Sequence, residues 1–220
     1  MSSSLQLTDL DRRIWEEELA EFVPPRIFDV HAHVYRRAHN LGTDSAASAA
    51  FPESDWALLD ACDRRLMPGR EVHRLAFGFP YAGGCDFAAA NRFTAAEARR
   101  DPDSAALMLV HPAMTDDELD QQLDAHGFLG FKPYRFYSTS GDAVDCRITD
   151  FLPEHQIRVA DRRGLLVMLH LAKRDGAADS QNLADLERLS TEYPRVKWIL
   201  AHCARSYFAA QVARAGPRLA

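Results

Sequence analysis

Short apolar runs alternate along the chain with segments of helical periodicity. Residues 105–110 (AALMLV) are apolar on both faces, as buried parallel strands are. Residues 115–127 place Leu119 and Leu123 four apart, between a Thr115/Glu118 capping box and Gly127, and predict a helix. The predicted strands are residues 26–35, 72–79, 105–110, 128–134, 165–172 and 196–201, and the predicted helices are residues 8–23, 54–67, 86–100, 115–127, 152–163, 180–193 and 206–215. This alternation, with about 34 residues per unit, is typical of α/β proteins built from βα units.

The composition narrows the classes of partner. The chain has 220 residues, 47% of them hydrophobic, with 26 basic and 32 acidic side chains and a net charge of −6. An acidic balance disfavours nucleic acid and anionic membrane surfaces as partners. The N-terminus lacks a signal-peptide pattern, no apolar run could span a bilayer, and the four cysteines form no CxxC pair. We therefore expect a cytoplasmic protein with reduced thiols.

Four of the nine histidines follow apolar strand runs. His31 and His33 lie two apart on the first predicted strand, so their side chains share one face at a spacing of about 6.5 Å. His170 and His202 end the fifth and sixth strands, and the carboxyl ends of parallel strands form one rim. A single strand-end histidine is usually structural, but this combination predicts a divalent metal site. Asp29, on the same face, either orients a ligand histidine or has a structural role.

Polar residues at the end of the fourth and sixth strands could contact a substrate. Lys132 either extends along the surface, binds an anionic substrate at the rim, or carries CO2 as a carbamate. Tyr134, Arg135 and Tyr137 follow it in the loop and could supply anion and hydroxyl contacts. Arg205 follows the sixth strand and is a candidate carboxylate binder, with an ordinary surface role as the alternative.

Two other residues with reactive side chains lie at predicted strand ends. His111 ends the third strand, where structural and functional roles are equally compatible with the sequence. Cys203 is adjacent to His202, and because neighbouring strand residues face opposite sides we expect it to be buried. The GxGxxG, GxxxxGK, GxSxG and HExxH patterns do not occur, which disfavours dinucleotide, nucleotide, serine-hydrolase and zincin chemistry.

The segments FDVHAH, GFKPY, LLVMLHLA and WILAHCA resemble the amidohydrolase superfamily, specifically its amidohydrolase-related branch, from residue 27 onward. The resemblance implies a TIM-type (β/α)8 barrel with a divalent metal, commonly zinc, at its carboxyl rim. It implies that His31, His33 and His170 are metal ligands and that His202 is catalytic, acting on the activated water or the substrate. Lys132 falls where two-metal members carry a carbamylated lysine. One metal is commoner in this branch, which favours a substrate-facing or structural lysine.

One family feature is missing from the chain. The family takes a final aspartate from the eighth strand, whereas about six βα units are predicted here. We therefore expect an incomplete TIM-type barrel, apparently truncated at its C-terminus, with residues 1–26 as a helical extension and residues 27–220 as a partial barrel domain. Open strand edges favour pairing with another chain, so a homo-oligomer is one expectation.

These expectations converge on a metal-dependent hydrolase. Its substrate would be a small ester, lactone or amide, attacked by a metal-activated water, with Lys132, Tyr134 and Arg205 as substrate-binding residues. Two alternatives stay open on the same scaffold. One is non-oxidative decarboxylation or hydration, and the other is an inactive, truncated chain that keeps the fold alone.

Overall fold

Six parallel strands form the sheet of this protein, as the sequence predicts. The computed structural model describes residues 7–43 and 53–219, with Ala46 and Ala49 between them. Each strand is hydrogen-bonded to the next one along the chain. The strands are β1 (Arg26–His33), β2 (Glu71–Phe77), β3 (Ala105–Val110), β4 (Gly130–Pro133), β5 (Leu166–Leu169) and β6 (Lys197–Leu200).

Helices connect the strands and cover one side of the sheet. They are α1 (Asp9–Ile14), α2 (Trp56–Leu66), α3 (Phe87–Ala98), α4 (Asp116–His126), α5 (Ile148–Phe151), α6 (Glu154–Arg163), α7 (Ser180–Glu192) and α8 (Ala209–Leu219). The capping box of α4 is present, with Thr115 and Glu118 each accepting from the other's backbone N–H. Gly127 ends this helix with φ 69°, a left-handed conformation that glycine adopts without a Cβ penalty.

The sheet curls into a half-barrel, an incomplete barrel of the TIM type, and confirms the predicted fold. In a flat sheet of this order β1 and β6 would lie about 24 Å apart, at about 4.8 Å per strand. The ring of His31 on β1 nevertheless lies 4.6 Å from the ring of His202, which follows β6. Only strong curvature brings the two edge strands of the described residues so close.

Alternate residues along the strands belong to different apolar clusters, two of which define the two faces of the sheet. Ala76 and Met108 belong to the large cluster that joins the sheet to the helices, together with Leu119 of α4. Phe77 and Leu107 belong to a second cluster, which we call the concave cluster. Since successive strand side chains point to opposite faces, the concave cluster lines the inside of the half-barrel.

Two helical predictions need correction. The helix predicted at residues 8–23 ends as α1 at Ile14 and continues as a π-helix at Trp15–Leu19, where the Ala20 N–H donates to the Trp15 carbonyl at 2.8 Å. The helix predicted at residues 152–163 begins only after Pro153, because proline sets the residue before it in an extended conformation.

The predicted division at residue 26 stays a prediction. The N-terminal helices contact the rest of the chain through Arg70, whose guanidinium lies 5.1 Å from the ring centre of the buried Trp15. No helix within the described ranges is both long and apolar enough to cross a membrane.

Candidate functional site

Four imidazole rings meet at the carboxyl end of the sheet. His31 and His33 come from β1, His170 directly follows β5, and His202 follows β6. The ring centres lie 5.4 Å apart for His31 and His33, 4.6 Å for His31 and His202, and 5.0 Å for His170 and His202. The structure therefore brings together the four histidines that the sequence singles out, although they come from the first, fifth and sixth strands.

Phe77 forms the floor beneath these rings. It ends β2, is fully buried, and belongs to the concave cluster. Its ring centre lies 4.9 Å from His31 and 4.8 Å from His33, both edge to face. The Lys132 Nζ lies 4.4 Å from the same ring. Phe77 thus holds two histidines and the lysine on one aromatic surface.

Burial keeps the imidazoles neutral. Loss of solvent, followed by the charge of Lys132, lowers the pKa of His31 from 6.5 to about 3 and that of His33 to about 4. Burial and the neighbouring His202 lower the pKa of His170 to about 4. The pKa of His202 is also lowered, by burial and then by Lys132. A neutral imidazole nitrogen is the form that binds a metal ion.

Two of the ring nitrogens are in surroundings that suit metal binding. The His33 Nδ1 lies 3.2 Å from the Gly78 carbonyl oxygen, which only accepts, so Nδ1–H donates and the lone pair is on Nε2. The His170 Nδ1 is buried with no hydrogen-bond partner among the described residues. The donor set therefore fits a divalent ion such as zinc.

The rings do not yet have the geometry of a closed metal site. In residues 7–43 and 53–219, no three His, Cys, Asp or Glu side chains stand at coordinating distance of a common point. The assignment of His31, His33 and His170 as metal ligands, and of His202 as catalytic, stays a prediction.

Lys132 lies inside the half-barrel instead of on its surface. Its side chain is fully buried, and Nζ has no hydrogen-bond partner in the described part of the chain. Nζ lies over the rings of Phe77 and Tyr134, at 4.4 and 5.2 Å. Burial lowers the pKa of Lys132 from 10.5 to about 7. A snorkelling surface lysine is excluded, while its role toward a substrate stays a prediction.

Tyr134 and Arg205 both lie next to His170. The Tyr134 ring centre is 6.0 Å from that of His170, and a parallel bridge joins the two backbones. The Tyr134 hydroxyl is buried and unpaired within the described residues, and burial raises its pKa. The Arg205 Nη1 donates to the Leu171 carbonyl at 3.3 Å. Their assignment as substrate-binding residues stays a prediction.

The structure also shows the surroundings of Asp29, His111 and Cys203. Asp29 makes a structural contact, because its Oδ1 accepts from the His31 backbone N–H at 2.8 Å, and its alternative as an orienting residue stays a prediction. His111 packs against Phe87 and Tyr137, with ring centres 5.4 and 5.6 Å away. The expectation of a buried Cys203 is wrong, since this residue is exposed.

The reason for the exposure of Cys203 is a left-handed turn. In the segment Ala201–Arg205, the residues His202, Cys203, Ala204 and Arg205 have φ between 50° and 57°. Strand alternation therefore stops at the end of β6. Gly176 packs against this turn, where a Cβ would lie 2.5 Å from the Ala204 oxygen and 2.6 Å from the Arg205 oxygen.

Sequence reasoning missed the aromatic part of the site. Phe77 lies two residues before the end of the predicted strand 72–79, so its place next to the rim was the available signal. Phe79 lies two residues further, with its ring centre 5.8 Å from that of His33. Neither residue stands out in the sequence, because phenylalanine at a strand end is usually part of the core.

A family model and solved structures relate the chain to known proteins. The sequence model of the amidohydrolase family matches residues 28–219. A search of curated proteins finds no match. An apo structure from Agrobacterium tumefaciens has a TM-score of 0.57 at 17% identity, with 89% of this chain and 63% of that chain covered. The chain thus spans less than two thirds of that relative's length.

Two other structures share the fold. A probable 2-pyrone-4,6-dicarboxylic acid hydrolase from Acinetobacter baumannii, solved with citric acid bound, has a TM-score of 0.51 at 15% identity, with 87% of this chain and 76% of that chain covered. A 2,6-dihydroxybenzoate decarboxylase from Rhizobium has a TM-score of 0.52 at 14% identity, with 82% and 67% covered. At these identities the likeness concerns the fold alone.

Proposed function

The chain belongs to the amidohydrolase family, and from this premise we propose that it is a metal-dependent hydrolase of small carbonyl compounds. The substrate class is an ester, lactone or amide. The observation that carries the proposal is the meeting of four neutral imidazoles, with neighbouring ring centres 4.6 to 5.4 Å apart, at the carboxyl rim of a parallel sheet. That rim is where enzymes of barrel type place their active sites.

The four histidines divide into two roles. His31, His33 and His170 would hold the ion, because these three residues are half-buried and burial keeps them neutral, whereas His202 is exposed to an approaching water. A bound divalent ion polarises a carbonyl and makes water a better nucleophile near neutral pH. His202 is exposed at the rim, and its neutral ring can accept a hydrogen bond from the attacking water and orient it.

The buried groups around the histidines support this division. Phe77 blocks water from the inner side of His31 and His33, and so favours their neutral form. The Gly78 carbonyl holds the His33 ring in one orientation by accepting from Nδ1–H. These contacts fix the ring positions before any ligand binds.

Metal content tests the ligand assignment. We expect the purified chain, saturated with zinc and then dialysed, to retain about one equivalent of zinc. His31→Ala and His170→Ala should each lower the retained zinc at least tenfold. His126→Ala is the matched control, because His126 ends α4 away from the rim, and it should retain the wild-type amount.

Turnover tests the reaction. The zinc-loaded chain should hydrolyse at least one member of a panel that contains an aryl ester, a δ-lactone and an anilide. His202→Gln should retain zinc and lose most of the turnover. A chain that retains no zinc, or that turns over none of the three substrate types, would contradict the proposal and favour an inactive chain that keeps only the fold.

Decarboxylation is the alternative reaction on the same scaffold. A hydrolase and a decarboxylase are both among the proteins that share the fold. Product analysis separates the two reactions, because only decarboxylation releases CO2 from a carboxylate substrate. Release of CO2 without hydrolysis of any panel member would replace the hydrolase proposal by a decarboxylase.

A further inference from the structure

We propose that Arg135 and Arg205 form a carboxylate-binding subsite beside His170, so that the substrate is an organic anion held next to the histidines. This inference rests on the proposed function, because the bound carboxylate is a substrate only if the chain is a hydrolase. The binding of a carboxylate at the two arginines can be tested without any turnover. We call these two residues the arginine pair.

Two different strands bring the arginine pair to the same place. Arg135 begins the short helix that follows β4, next to Tyr134, whose backbone pairs with that of His170. Arg205 ends the left-handed turn after β6, and its Nη1 donates to the Leu171 carbonyl at 3.3 Å. The pair therefore flanks the end of β5 from both sides, at the histidine that ends this strand.

Within residues 7–43 and 53–219, neither guanidinium of the arginine pair forms an ion pair with a carboxylate. The charged or titratable groups that act on the Arg135 guanidinium are Arg205, Cys146 and Tyr207, and none of them is a carboxylate. Asp145, in the loop that Arg135 contacts, already pairs with the Lys173 Nζ at 2.6 Å. Two guanidiniums without an acid between them repel each other, and an anion that binds both removes this cost.

The hydrogen-bonding capacity of the pair is only partly used. The Arg135 Nη1 donates to the Ala143 carbonyl, and the Arg205 Nη1 donates to Leu171. Neither Nε–H has an acceptor among the described residues. The Arg135 guanidinium also lies 4.8 Å from the ring centre of Phe136. Both Nε atoms are buried without a partner in the described part of the chain, in side chains that are themselves half-buried, and a carboxylate that reached them would supply the acceptors they lack.

The electrostatic field of the pair reaches the candidate site. Burial and His202 are the main causes of the lowered pKa of His170, and Arg135 and Arg205 both add to it. A carboxylate on the pair would therefore lie within electrostatic range of the histidines. Lys132 is a poorer anion site, since its side chain has no solvent exposure and lies beneath the rings.

Side-chain NMR of the arginines tests the inference directly. The probe is acetate, with neutral acetamide of the same shape as its control. We expect acetate to shift the Nε–H signals of Arg135 and Arg205 along a saturable curve, while acetamide leaves them in place. The two signals are assigned by their loss in Arg135→Gln and Arg205→Gln. Each variant should weaken acetate binding, read from the remaining signal, at least tenfold.

Arg92→Gln is the matched control, because Arg92 is exposed on α3, and it should leave the acetate affinity unchanged. The inference would be overturned if the shifts of the Arg135 and Arg205 signals rose linearly with acetate concentration, or were no larger than those of the Arg92 signal. An equal effect of acetamide would overturn it as well. The comparison of acetate with acetamide is made on the wild-type protein, so it does not depend on whether a variant folds. Zinc content measured on the same samples separates the two proposals, because metal retention without acetate binding refutes only the subsite, and acetate binding without metal refutes only the hydrolase.

Discussion

The ring centres of His31 and His202 lie 4.6 Å apart, although His31 lies on the first strand of the sheet and His202 follows the sixth. This contact ties the two edge strands of the half-barrel to each other across its concave face. The site is therefore sensitive to the curvature of the whole sheet. It is also sensitive to the turn after β6, which sets the position of His202.

The neutral state of the site histidines is the first prediction. The pKa values lie near 3 for His31 and near 4 for His33 and His170, because burial disfavours the imidazolium. We expect none of the three rings, in metal-free protein, to show the large ring-proton shift of imidazole protonation between pH 8 and about 5. An imidazole of these three that titrates near its ordinary pKa would contradict the arrangement.

The same shifts make stability depend on pH in a known direction. The folded pKa values lie below the ordinary value of 6.5, so the unfolded chain binds more protons between about 4 and 6.5. The free energy of unfolding of the metal-free protein should therefore fall as the pH is lowered through this window. Above pH 6.5 these groups should cause no change. Urea unfolding at several pH values measures the free energy of unfolding. His33→Gln should weaken its dependence on pH between about 4 and 6.5.

Replacement of Lys132 by methionine should stabilise the protein at neutral pH. The pKa of Lys132 is lowered from 10.5 to about 7 by burial, so the unfolded chain binds more protons between these values. The cost of the buried ammonium is fully present below pH 7 and disappears as the pH rises toward 10.5. Lys132→Met keeps the apolar stem and should gain a few kcal/mol at pH 7, less at pH 10.

Lys197→Met is the control for this prediction, because Lys197 is exposed on β6. Comparing each variant with wild type at the same pH cancels the titration of all other groups. A stability gain of Lys132→Met that is equal at pH 7 and pH 10 would show that packing, and not the charge, is its source.

The sequence predicts the strands better than it predicts the site. Strand 105–110 and the capping box at Thr115 follow from local patterns, and the structure reproduces both. The meeting of His31 with His202 depends on sheet curvature, a property of six strands together that no local pattern contains. The left-handed turn that exposes Cys203 opposes the intrinsic preference of its residues, so only tertiary contacts can impose it.

Glycine at position 203 should stabilise the protein. Cys203 has φ 50° and an exposed side chain, so its left-handed conformation costs about 1–2 kcal/mol that glycine avoids, while little burial is lost. We expect Cys203→Gly to raise the free energy of unfolding by about 1 kcal/mol. Cys62→Gly, within α2, is the matched control and should lower it by about 1 kcal/mol, because glycine weakens helix interiors. Two changes of the same sign would contradict the left-handed turn.

Alanine at position 176 should disturb the site from a distance. Gly176 has φ 53°, and a Cβ there would lie 2.5 and 2.6 Å from the carbonyl oxygens of Ala204 and Arg205. The left-handed turn would have to move, and it carries both His202 and the Arg205 side chain. We expect Gly176→Ala to lower the free energy of unfolding by more than about 2 kcal/mol, the sum of backbone strain and overpacking. It should also shift the His202 ring signals.

Gly69→Ala separates the two causes. Gly69 has φ 78° and nothing within 4 Å of an added Cβ, so this variant carries the backbone strain without the clash. It should cost about 1 kcal/mol and leave the signals of His202 and Arg205 unchanged. Urea unfolding compares the loss of stability in the two variants, and NMR compares the shifts of their His202 signals. If Gly176→Ala cost no more than Gly69→Ala, or left His202 in place, the turn would not rest on Gly176, and the position of His202 would depend on β6 alone.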